Sequence, residues 1–174
     1  LVECIGGGTA VTKTINTGAL SEANAISFSL LETTGTVTYA FTASNVVKNL
    51  IINGLQTLSN ITISIYGLFT HSTSNGTTTF TAGNNAWTFA ATSGSYTITP
   101  VSATTYDFPW TFNGVGGTWQ ILANLTLGST RAFSLTNGTF DFNSFTVSGP
   151  TSGITIITGT PSIANTGGGG SLST

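Results

Sequence analysis

The chain has 174 residues, the length of one domain with enough interior for a substantial core. Only eight residues are charged (Lys13, Lys48, Arg131, Glu3, Glu22, Glu32, Asp107 and Asp141), or 5% of the chain against about 25% in an ordinary soluble domain. Three basic side chains cannot neutralise a phosphate backbone, and no apolar run approaches the roughly 20 residues of a membrane span. One Cys with one His does not make a four-ligand metal site, so nucleic-acid binding, membrane spanning and structural metal binding are set aside.

Thr supplies 36 residues, and Val, Ile, Phe and Tyr are plentiful, whereas helix formers such as Glu, Lys, Arg and Met are scarce or absent. The composition predicts an all-β chain. A net charge of -2 gives little repulsion between copies and little protection to open sheet edges, which suits a protein held in an assembly. Cys4 stands alone, so an intramolecular disulfide is excluded and the residue is expected to pack as a small apolar group. With Leu at position 1, no Met and no recognisable signal peptide, the sequence reads as a processed chain or a segment of a longer one.

In chain order, residues 1–25 precede any regular pattern and are expected to form an N-terminal capping or attachment segment; "GGG" at 6–8 lacks the lysine of a phosphate loop. Residues 26–165 carry a repeat. Glycines at 35, 54, 76, 94, 117, 138 and 159 are spaced 19, 22, 18, 23, 21 and 21 residues apart. Four residues after each stands an apolar side chain: Tyr39, Leu58, Phe80, Ile98, Ile121, Phe142 and Ile163. Apolar pairs precede several of them, as in Phe28 and Leu30, Trp110 and Phe112, Phe133 and Leu135, Ile154 and Ile156. The firmest members of the series are Gly54, Gly117, Gly138 and Gly159. The phrase "NGLQTLSNITIS" at 53–64 returns as "NGTFDFNSFTVS" at 137–148.

A period near 21 residues fits two or three short strands with tight turns, which is one rung of a right-handed parallel β-solenoid; seven rungs would give a rod of roughly 34 Å. The alternative is an antiparallel β-sandwich or jelly roll, with Asn53-Gly54 and Asn137-Gly138 as hairpin turns. In a solenoid the same asparagines would instead form side-chain ladders. Residues 166–174, "TGGGGSLST", have the composition of a flexible linker or tail.

The segment 110–149 resembles a repeat pattern of tailed-phage and related viral structural proteins, and more loosely of bacterial surface solenoids. The resemblance is carried by Trp119, "LTLGSTR" at 125–131, "LTNGTFDFN" at 135–143 and the following "FTVSG". It implies a non-enzymatic structural component of a virion: a fibre, spike or capsid-attached protein. The implied partners are copies of the chain itself, as a trimer by analogy, other virion proteins and a host surface glycan, with the virion as location and no cofactor. An adhesin or extracellular filament subunit is the second expectation, and a polysaccharide-degrading β-helix enzyme the third.

An enzyme would have to use Asp107 and Asp141, both in aromatic company. Strand alternation places the aromatics of "YDFPWTF" and "FDFNSF" on one face and both aspartates on the other, facing solvent. His71 has no acid or nucleophile beside it and reads as a solvated loop residue, so no catalytic residue is assigned. The four N-x-T sequences, at Asn60, Asn75, Asn124 and Asn137, are no more than this composition yields by chance. Tyr106, Phe108, Trp110, Phe112 and Trp119 either fill the core, the favoured reading as for Trp87 and Phe89, or form a contact surface for a subunit or glycan.

Overall fold

The computed structural model describes residues 2–6, 11–17, 20–41, 45–59, 61–151 and 153–173. The side chains of residues 4–6, 11, 34–36 and 158, Cys4 among them, lie outside that description, as does Asn60. In chain order the strands are β1 (Val2–Gly6), β2 (Val11–Ile15), β3 (Ile26–Phe41), β4 (Asn45–Leu58), β5 (Ile63–Ile65), β6 (Phe69–Ser72), β7 (Thr79–Phe80) and β8 (Trp87–Phe89). They continue with β9 (Ser95–Thr99), β10 (Thr105–Tyr106), β11 (Trp110–Ile121), β12 (Leu125–Leu127), β13 (Phe133–Asp141), β14 (Thr146–Ser148), β15 (Ile154–Ala164) and β16 (Ser171–Ser173).

Every strand pair among the described residues is parallel. The chain winds as a β-solenoid of about seven turns, with equivalent residues about 23 apart. The larger sheet runs β1-β3-β4-β5-β8-β11-β13-β15, and the smaller runs β10-β12-β14-β16. The antiparallel sandwich is thereby excluded, and neither Asn-Gly pair is a hairpin turn: Asn53 and Gly54 lie within β4, Asn137 and Gly138 within β13.

The rungs stack through the apolar pairs visible in the sequence. Trp87, Trp110, Phe133 and Ile154 form one ladder, and Phe89, Phe112, Leu135 and Ile156 the next. Phe28, Leu50 and Phe69 repeat the arrangement nearer the N-terminus. Alternation turns the aromatic and leucine members of these ladders inside and most intervening threonines towards the surface, whereas Ile156 on the last rung is exposed. Neighbouring rings meet closely within the interior: Phe89 and Phe112 stack at 4.7 Å, and Phe69 meets Trp87 edge-on at 5.3 Å. Such pairs add about 0.5–1.5 kcal/mol each beyond the area that they bury.

The glycine series is corrected in one place. Gly138 sits over Gly117, whose carbonyl would lie 2.7 Å from a Cβ placed there, but Gly138 pairs onward with Pro161 and not with Gly159. Gly159 instead approaches the Thr136 carbonyl, and Ile163 follows Phe140, two residues out of the expected alignment. The irregularity between Leu135 and Asn137 absorbs the difference. Upstream, the expected ladders Tyr39–Leu58–Phe80 and Ile98–Ile121 are present.

Both ends are more ordered than composition suggested. β1 and β2 pair with the two halves of β3, so the N-terminal segment continues the stack as a rung. β16 pairs with β14, so the Gly-rich tail holds a strand and is not a free linker over its whole length. Glu22, in a short 3-10 turn at Glu22–Asn24, accepts hydrogen bonds from Thr92, tying this segment across 70 residues of sequence.

Candidate functional site

The larger sheet carries a lateral cleft of about 290 Å³. Register brings Thr97 of β9, Gln120 of β11 and Asp141 of β13 into one row, and Thr166 follows from the turn after β15. Ser95, Tyr96 and Thr118 complete the wall. β6 pairs only with Ile98 and Thr99 of β9, which leaves the Tyr96 side of that strand without a paired strand among the described residues. Tyr96 is half-buried, with Lys48 Nζ 5.5 Å from its ring centroid.

Asp141 organises the row. Its Oδ1 accepts from the backbone N–H groups of Asn143 and Thr166, both at 3.0 Å. Its Oδ2 accepts from Gln120 Nε2 at 2.9 Å and from the Thr166 hydroxyl at 2.6 Å. Burial pushes the Asp141 carboxyl upward, but the hydrogen bonds from Thr166, Gln120 and Asn143 outweigh it and hold the group below the usual carboxylate range. A carboxylate has about four acceptor positions, and four donors occupy them here. Gln120 Nε2 also donates to Thr166 Oγ1 at 3.1 Å, so both amide hydrogens are committed and Oε1 is left as the acceptor. The cleft therefore presents an amide oxygen, hydroxyls and one aromatic ring, suited to binding hydroxylated molecules.

The five aromatics considered as contacts are interior: Tyr106, Trp110, Phe112 and Trp119 are 0% exposed and Phe108 4%. Tyr106 lies on the inward face of β10 and Trp110, Phe112 and Trp119 on that of β11, with Phe108 in the link between the two strands, and neighbouring rings cover them. Trp87 and Phe89 are buried with them.

His71 overturns its expected place in a solvated loop. It lies in β6, in register with Leu30 and Ile52, and is 3% exposed. Alternation from Phe69 turns it inward, where burial lowers its pKa to about 4. Asp107 and Asp141 do have outward parity, but neither is a freely solvated carboxylate. Asp107 is paired with Arg131 beside the Gly128 corner, while Asp141 is 3% exposed beneath its four donors. Asp107 follows the smaller sheet's β10 and Asp141 closes the larger sheet's β13, so the two have no shared partner.

An amide-to-amide step of the expected asparagine ladder is present at Asn137, whose Nδ2 donates to Asn113 Oδ1 at 2.7 Å while its own Oδ1 accepts from Thr160 N at 3.1 Å; Asn53 instead donates to the Ser74 hydroxyl and accepts from the Asn75 backbone N–H. Two features escaped sequence reasoning. Glu32 is completely buried, accepts from the Tyr39 hydroxyl and lies 3.5 Å from Lys13 Nζ. The Thr97–Gln120–Asp141–Thr166 row was also missed, although the 21- and 23-residue separations of its first members were available as a signal.

Among the described residues no group of three His, Cys, Asp or Glu side chains is placed to hold a metal, and no helix is long and apolar enough to cross a membrane. Compared with protein-family models, with curated proteins and with solved structures, the chain gives no match in any of the three.

Proposed function

We propose that this chain is a non-enzymatic structural component of a virion, a phage fibre, spike or capsid-attached protein acting through assembly and surface contacts. The observation that carries the reading is the stacked interior, in which Trp87, Trp110, Phe133 and Ile154 continue from rung to rung as one column. A solenoid held by such ladders is a stiff rod that transmits load along its axis. The resemblance of residues 110–149 to viral structural repeats supplies the virion setting. The low charge supports packing against copies of the chain, as a trimer by analogy, and against neighbouring virion proteins.

A bacterial adhesin or extracellular filament subunit is the second reading, favoured by the lateral cleft, which a purely load-bearing rod does not need. Immunogold electron microscopy with antibody against this chain tests the two. Label on particle heads, tails or fibres supports the virion component. Label on cell envelopes or free filaments overturns it and leaves the second reading.

A further inference from the structure

We propose that the cleft between β9 and the turn after β15 binds a linear, neutral glycan lying along the solenoid axis. The first argument is periodicity. Parallel strands are spaced about 4.8 Å apart, close to the length of one hexopyranose unit in an extended chain. Thr97 and Gln120 occupy the same register position on successive strands, and the Thr166 hydroxyl, bonded to Gln120 over the buried Asp141, follows them, so successive sugar units meet a polar side chain at each step.

The second argument is preorganisation. Gln120 is fixed by donating to both Asp141 Oδ2 and Thr166 Oγ1, which aims its amide oxygen at the cleft without further ordering. Asp141 is a positioning residue, because its acceptor positions are filled from within the protein. Thr166 is held by bonds from both its backbone and its hydroxyl, so the segment with linker-like composition supplies a fixed wall.

The third argument is the balance of surfaces. Tyr96, in register with Trp119 and packed against the core, adds apolar surface to the wall of the cleft, while the outward Thr97, Thr118 and Gln120 meet the hydroxyls of the sugar. The nearest cation, Lys48, lies over the Tyr96 ring, and the Asp141 charge is compensated by hydrogen bonds. Nothing in this arrangement favours a carboxylated or sulfated sugar. Glycan binding stands independently of where the protein is located, so it holds or fails whatever the immunogold result.

The experiment is binding of the whole chain to an array of neutral oligosaccharides (linear glucans, mannans, galactans and chito-oligosaccharides of four to eight units), followed by calorimetric titration of the best binder. We expect binding to at least one series, strengthening with chain length. Gln120→Leu and Thr166→Val should each weaken it by about tenfold, the loss expected for one or two ligand or positioning hydrogen bonds, with an unchanged far-ultraviolet circular dichroism spectrum. Absence of binding to every neutral series overturns the proposal. So does binding that both variants leave unaltered, or binding confined to anionic glycans and abolished by Lys48→Gln.

Discussion

The hydroxyl of Tyr106 and Nδ1 of His71 are hydrogen-bonded at 2.8 Å inside the solenoid, joining β10 of the smaller sheet to β6 of the larger. The same hydroxyl accepts from the Val101 backbone N–H at 3.0 Å, so it ties the backbone before β10 to Nδ1 of the imidazole, whose other ring nitrogen is Nε2. That Nε2 is buried without a partner. Tyr106→Phe removes the shared hydroxyl and leaves Nδ1 and the Val101 N–H unpaired, for an expected loss of about 1–3 kcal/mol in urea unfolding.

The buried histidine also makes stability depend on pH. Its folded pKa is lowered to about 4 by burial, whereas the unfolded chain titrates near 6.5. Between those values the unfolded state binds the proton and the folded state does not. The His71 contribution is therefore fully present above about pH 6.5 and is lost as pH falls towards 4, by about 3 kcal/mol at most. Urea unfolding at several pH values checks this: His71→Phe should flatten the slope between pH 6.5 and 4 relative to the parent chain. An unchanged slope would show that the window belongs to other groups.

Gly54 tests the closeness of the rungs. Its φ is +128°, and a Cβ there would lie 1.9 Å from the Glu32 carbonyl oxygen. Gly54→Ala combines backbone strain with a backbone collision that no rotamer relieves, so the expected cost is at least about 3 kcal/mol. Gly168→Ala is the comparison for a positive φ without collision, since φ there is +71° and a Cβ meets nothing within 4 Å. Thermal unfolding should separate the two clearly.

Trp110 stands at the centre of the aromatic column, touching Phe69, Trp87, Phe89, Tyr106 and Phe108. Trp110→Ala should cost about 3–5 kcal/mol through lost burial and the cavity left behind. Trp110→Phe should cost much less, since the indole Nε1 has no hydrogen-bond partner to lose. Denaturant midpoints of both variants, compared at constant m-value, measure the difference.

Asp141→Asn keeps the size of the side chain but places an NH2 group among four donors. The expected loss is about 1–3 kcal/mol, accompanied by release of the turn at Thr166. Faster amide exchange at Thr166 than in the parent chain is the specific readout, because a general loss of stability would not single out that residue.

The rung was legible because strand alternation is a local rule: Trp110 with Phe112 and Phe133 with Leu135 identify the inward face without knowledge of any neighbour. The fine register was not legible. The two-residue offset between Gly138 and Gly159 depends on how the chain accommodates the irregularity after Leu135, and spacing alone does not reveal which strand absorbs it. His71 shows a different limit. Its parity with Phe69 points inward, but polarity argues for solvent, and the deciding partner is Tyr106, 35 residues away. Asp141 shows the converse, since outward parity was read as exposure although Thr166, Gln120 and Asn143 enclose it. The cleft followed only once the rungs were aligned.

Among the described residues β15 has a strand partner on one side, β13, and it carries Ile156 and Ile163 at 53% and 51% exposed. Each rung of a solenoid draws its stability from the two that flank it, so the unfolding free energy is graded along the rod. Amide protection should accordingly rise from β15 towards β11, and a pulling force applied at the C-terminal end should detach β16 from β14 first and β15 next, as a zipper opens from its last tooth.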